Sequence, residues 1–205
     1  MPGPGGVPRR AGRPAPPPVS GTDVEPVTRV AVHGASGSGK TMLATALAAR
    51  LGVERTELDA LFHLPGWTEL PVDEFRAAVA VRVAESGWVI DGNYPTVRDL
   101  VWARAQLIVV LDLPRWRVMA QLLRRTVTRG TARTELWNGN RESLRNLVST
   151  DDGRNVVLWS WRTHHRYHDE VPAEARAEAP HARVVVLRDR RSAAVLPDLV
   201  ANGAI

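Results

Sequence analysis

Cysteine is absent from the 205 residues, which excludes a disulfide framework, a thiol nucleophile and a cysteine-based zinc site. Long hydrophobic runs are absent too. The strongest, from Ala105 to Leu111, falls far short of the ~20 residues a membrane span requires. No apolar stretch follows the N-terminal arginines, so a secretory signal is not expected and a cytoplasmic protein is. Lysine is nearly missing: the chain carries 26 arginines and one lysine, Lys40. What remains is an ordinary globular composition, 44% hydrophobic and 24% charged, of a length that suits one domain with a substantial core.

The charge is unevenly spread. From Arg115 to Arg166 there are 11 arginines against Glu135, Glu142, Asp151 and Asp152, a local balance of +7 within a total of +5. A concentrated basic segment suits a polyanionic partner, either nucleotide phosphates or nucleic acid. Residues 1–28 read as a disordered tail, since the first 18 hold seven prolines and four glycines and no apolar period.

From Arg29 onward apolar strands alternate with helical periods. Strands are expected at Arg29–His33, Glu54–Leu58, Trp88–Asp91, Gln106–Asp112 and Arg183–Leu187, the second ending at Asp59. Helices are expected at Lys40–Leu51, Val72–Ser86, Pro114–Thr128, Val156–Glu170 and Ser192–Ala201, and residues 129–155 show no clear period. Five apolar strands joined by helices imply a three-layer α/β fold with a parallel sheet and helices on both faces.

The first strand runs into Gly34-Ala35-Ser36-Gly37-Ser38-Gly39-Lys40-Thr41, a complete G-x-x-x-x-G-K-T motif with a helix after it. Its glycines let backbone N–H groups wrap a triphosphate at the helix N-terminus. Lys40 would reach the outer phosphates, and the Thr41 hydroxyl would hold Mg²⁺. A compact ammonium suits this cradle where a planar guanidinium does not, which gives the single lysine a chemical reason. Magnesium also calls for a carboxylate at a strand end, and both Asp91 and Asp112 stand there.

At Asp91-Gly92-Asn93-Tyr94-Pro95 the chain resembles the adenylate-kinase-like P-loop proteins. It is most similar to the bacterial branch labelled "DNA topology modulation protein". The resemblance spans roughly residues 29–200 and rests on an ordered set: Gly34–Thr41, Glu57-Leu58-Asp59 with Phe62, Trp88 to Tyr94, Leu111 to Trp116, and Trp159-Ser160-Trp161 with Arg166. It implies ATP as donor, a five-stranded P-loop NTPase sheet of order 2-3-1-4-5, and Asp91 rather than Asp112 as the magnesium partner. Asp59, Asn93 and Tyr94 would face the acceptor, and an Arg-rich helical lid over roughly residues 124–166 would close on ATP, with Arg124, Arg133 and Arg166 as catalytic arginines. One departure stands out. Relatives carry an acceptor-binding Arg just after the Asp-Gly element, whereas Thr96 and Val97 occupy that place here and Arg98 comes later.

Two functions follow as expectations, with an ATPase that has no small acceptor as a further alternative. One is a small ATP-dependent kinase in which Lys40 and lid arginines neutralise charge, Thr41 and Asp91 hold Mg²⁺, and Asp59 binds or deprotonates a nucleotide or other small acceptor. The other is a nucleic-acid-associated ATP-binding protein, in which the basic segment interleaves with Trp116, Trp137, Trp159 and Trp161. His164, His165 and His168 share helical spacing, but no fourth ligand completes a metal site around them.

Overall fold

The computed structural model describes residues 26–132, 137–140 and 156–205. The Pro/Gly-rich stretch through residue 25 and much of the expected lid, Arg133 included, lie outside the described residues.

The central sheet is built from five parallel strands, β1 (Arg29–Gly34), β2 (Glu54–Glu57), β5 (Trp88–Asp91), β6 (Leu107–Leu111) and β7 (Arg183–Leu187). They lie in the order β2-β5-β1-β6-β7. Counting only these strands, the order is the expected 2-3-1-4-5. The two remaining strands, β3 (His63–Leu64) and β4 (Thr68–Glu69), make a small antiparallel hairpin of their own. Among the described residues no helix is long and apolar enough to cross a membrane.

Both faces of the sheet are covered, and the period-2 alternation of the strands divides the core in two. Ala31, Ile90, Ile108 and Val110 point to one side, against Phe75 and Val79 of α3 (Val72–Val83), Val97 and Trp102 of α4 (Pro95–Trp102), and Val171 and Ala175 of α7 (Glu170–Glu178). Val30, Val32, Val89, Leu107 and Val109 point to the other, against Leu43 and Leu47 of α1 (Lys40–Leu51) and Leu196 and Val200 of α8 (Arg190–Ala201). The parallel register aligns Glu57, Asp91 and Val32 across β2, β5 and β1, and Gly34, Leu111 and Leu187 across β1, β6 and β7. The chemically active residues therefore gather at the carboxyl ends of the strands, where ligands bind in open α/β sheets.

Three expectations need correction. The second strand stops at Glu57, and Leu58–Phe62 forms a short helix, α2, so Asp59 stands in a first helical turn rather than at a strand end. The helix expected over residues 156–170 breaks: α6 (Val156–Thr163) is followed by a 3-10 turn at His164–Tyr167 and then by α7. That turn buries His164 and Tyr167. The long basic helix α5 runs Arg115–Ala132, past the expected end at Thr128.

Candidate active site

The phosphate loop joins β1 to α1, and no side chain caps that helix. Gly39 stands at the cap position with φ 96°, a left-handed conformation that favours glycine, and a Cβ there would meet nothing within 4 Å. The first N–H groups of α1 thus open onto free space, ready for an anion. Gly37 is constrained from outside the loop. Its φ is 87°, and a Cβ would lie 2.7 Å from Leu122 Cβ and 2.9 Å from the Val118 carbonyl of α5. The basic helix therefore rests directly on the loop. From the other side, buried Ser160 of α6 donates its hydroxyl to the Ser36 carbonyl at 3.0 Å.

Lys40 lies within the loop, 3.4 Å from the Ala35 carbonyl. Burial depresses its pKa, while the charges of Asp59, Asp91 and Glu57 pull it back up and that of Arg125 pushes it further down. These influences bring an acid from α2, an acid from β5 and an arginine from α5 around one ammonium. Arg125, rather than Arg124, is the helix arginine that acts on Lys40; Arg124 is exposed.

Asp91 is 1% exposed. Burial first, then the neighbouring Glu57 charge, raises its pKa from 3.8 to about 6, against the opposing effects of Arg55 and a hydrogen bond with the Thr41 hydroxyl. Arg55 reaches Asp91 at 3.4 Å and Glu57 at 3.2 Å. An under-neutralised carboxylate beside an exposed hydroxyl presents two oxygen donors of the kind a hard cation takes, so these residues fit Mg²⁺. Asp112 is engaged elsewhere. Buried at the end of β6, it accepts from His168 at 2.7 Å and from Arg188 at 3.3 Å.

On the far side of the loop the Tyr94 phenol donates to Asp59 at 2.7 Å. Burial, then the Asp59 charge, raises the pKa of Tyr94 well above its ordinary value, so it stays a neutral phenol that donates to Asp59. Phe62, Phe75 and Tyr94 form a ring cluster with centroids 4.7–5.2 Å apart, and His63 and Trp67 extend it along the hairpin. The hairpin is clasped from above. Asn138 donates to the Ala60 and His63 carbonyls, while Asn140 donates to the Leu64 carbonyl at 2.9 Å and accepts from the Trp67 N–H at 2.8 Å. Asn140 is 3% exposed, and both Trp67 and Asn138 hold positive φ.

Two residues expected at the acceptor are committed elsewhere. The Asn93 amide donates to the Gly34 carbonyl at 2.7 Å and accepts from its N–H at 3.3 Å, tying β5 to the mouth of the phosphate loop. Arg98 pairs with Glu174 and lies 4.8 Å above the Trp102 ring. Arg166 is held by Glu170 at 2.8 Å. The three histidines diverge: His164 donates to the Leu113 carbonyl, His168 to Asp112, and His165 faces Glu170. Among the described residues no cluster of histidine and acidic side chains forms a metal site. Buried His33 accepts from Trp102 at 2.8 Å. Burial, then the Arg98 charge, lowers its pKa to about 4, so it is a neutral structural ring.

Sequence reasoning missed the aromatic cluster and the asparagine clasp. Pro65-Gly66 was the available signal for the hairpin turn; nothing local marks Asn138 and Asn140 as partners of residues more than 70 positions away.

No protein-family model matches the chain, and no curated protein does. Solved structures do. A gluconokinase from Sinorhizobium meliloti 1021 superposes with a TM-score of 0.50 at 19% identity, covering 86% of this chain and 90% of that one. The shikimate kinase from Acinetobacter baumannii, in complex with shikimate, gives 0.52 at 14% identity, covering 87% and 93%. The chain shares its fold with these two structures. At such identities the likeness concerns the backbone, and the chemistry has to be argued from the side chains of this chain.

Proposed function

We propose that this protein is an ATP-dependent phosphotransferase acting on the hydroxyl of a small molecule. The observation that carries it is the convergence on Lys40: a glycine cradle with an uncapped helix behind it, the Thr41–Asp91 pair, Arg125 of α5, and Asp59 held by Tyr94 across the cleft.

Phosphoryl transfer asks mainly for positioning and for positive charge around the moving group. The loop amides and Lys40 hold the phosphates, and Arg125 adds a second cation from the opposite side. Thr41 and Asp91 would hold Mg²⁺, which supplies charge neutralisation on the donor phosphates. Asp59 accepts the hydroxyl proton as the acceptor oxygen bonds to the γ-phosphorus. The bond from that phosphorus to the bridging oxygen breaks, and ADP leaves. Tyr94 keeps the Asp59 carboxylate aimed. Arg124, Arg133 and Arg166 stay candidates for the lid, with Arg166 requiring release from Glu170 before it can serve.

The test is to follow labelled γ-phosphate in the presence of a mixture of small-molecule alcohols. Label in an acceptor supports the proposal, and label only in inorganic phosphate rejects it. A nucleic-acid partner has one specific observation in its favour. Exposed Trp116 and Trp161 lie beneath Arg117 and Arg115, with the guanidinium carbons 5.0 and 4.6 Å from the ring centroids. Oligonucleotide binding with a steep salt dependence would support that alternative.

A further inference from the structure

Resting on the phosphotransferase proposal, we infer that the acceptor is a ring-bearing alcohol that carries no phosphate or carboxylate of its own. The acceptor side of the cleft is built from acids and aromatic rings. Asp59 lies in the first turn of α2, Glu69 lies on the hairpin opposite His63, and Glu57 stands at the end of β2, paired with Arg55 and next to the proposed Mg²⁺ ligand Asp91. Asp59 touches the Tyr94 phenol directly at 2.7 Å, and the charges of Glu69 and Glu57 also act on that phenol.

Among the described residues, the arginines of β2, α3 and α4 are already matched. Arg55 of β2 is held by Glu57 and Asp91, Arg76 of α3 by Asp99 at 2.7 Å, and Arg98 of α4 by Glu174. Lys40 belongs to the donor loop, 3.4 Å from the Ala35 carbonyl. An anionic acceptor would therefore enter against like charge and would have to break an ion pair to find a cation, and like-charge placement of this kind disfavours the wrong ligand. A neutral or aminated ring meets no such penalty. It finds the faces of Phe62, Tyr94 and the 41% exposed Trp67 to lie on.

The acceptor need not be identified for the experiment to decide. A small-molecule extract of the source cells is split on an anion exchanger into a flow-through of neutral and cationic compounds and a retained anionic fraction. Each fraction is incubated with the full-length protein, Mg²⁺ and γ-labelled ATP. The inference predicts acceptor-dependent label transfer with the flow-through. Transfer confined to the retained fraction overturns it while leaving the phosphotransferase proposal standing. Transfer with neither fraction rejects both. As a check on the cause, Glu69→Arg should raise transfer to retained acceptors by about tenfold, because it replaces a repelling charge with an attracting one.

Discussion

Asp91 is the residue at which stability and function pull apart. Its carboxyl keeps a proton in the folded protein up to about pH 6, whereas the unfolded chain loses it near 3.8. The folded state binds more protons across that window, so this group's contribution to stability falls as pH rises from about 4 to above 6. A shift of that size corresponds to roughly 2–3 kcal/mol. Asp91→Asn should accordingly raise the denaturant midpoint of the ligand-free protein at pH 8 by about 1–3 kcal/mol of stability, while transfer activity collapses. In the wild type, kcat/KM should fall as pH drops through about 6, and added Mg²⁺ should move that limb to lower pH. Across the cleft, Asp59→Asn should lower kcat by about 10²–10⁴-fold as the proton acceptor is lost. Tyr94→Phe, which removes only the hydroxyl aimed at Asp59, should lower kcat by about tenfold with KM little changed. At this scale the glycine loop between β1 and α1 was legible in the sequence, because its motif residues stand in a fixed order between a strand and a helix. Asn93 and Arg98 were not, because their spacing is the same whether the side chain faces a substrate or, as here, Gly34 and Glu174.

Among the elements, α5 makes the contact that shapes the loop. The Val118 carbonyl is backbone and cannot move aside as a flexible side chain would, so Gly37→Ala should cost about 2–3 kcal/mol in a thermal melt and weaken ATP binding. The hairpin depends on its clasp. Asn140→Ala leaves the Trp67 N–H and the Leu64 carbonyl without these partners, a loss of about 1–3 kcal/mol, and hydrogen exchange should show the Trp67 amide losing protection while that of β1 is unchanged. Neither contact is visible in sequence. Helical period announces α5, but which of its turns meets Gly37 is decided by the packing of the whole sheet. The break between α6 and α7 escaped for a related reason: residues 156–170 keep a plausible helical pattern, and only the burial of His164 against Leu113 stops the helix there.

For the molecule as a whole, the layer order was legible because strands buried on both faces read as continuous apolar runs, and Leu107–Leu111 is the clearest of them. Charge separation across the cleft is the property that joins the fold to its proposed work. A cationic donor side is built from Lys40 and the open end of α1, with the Arg125 charge acting on Lys40, and an acidic acceptor side from Asp59, Glu69 and Glu57. The count of basic residues in the sequence pointed toward a polyanion, whereas the acidic wall emerges only when α2, β2 and the hairpin are brought together. The central claim is that this cleft moves the γ-phosphoryl group of ATP to an acceptor. It is tested most directly by incubating the protein with γ-labelled ATP, Mg²⁺ and a small-molecule extract, beside Lys40→Ala as a control. Label should appear in a new acceptor-bound species with the wild type and be absent with the variant. Label recovered only as inorganic phosphate, or transfer that survives loss of Lys40, would contradict the account.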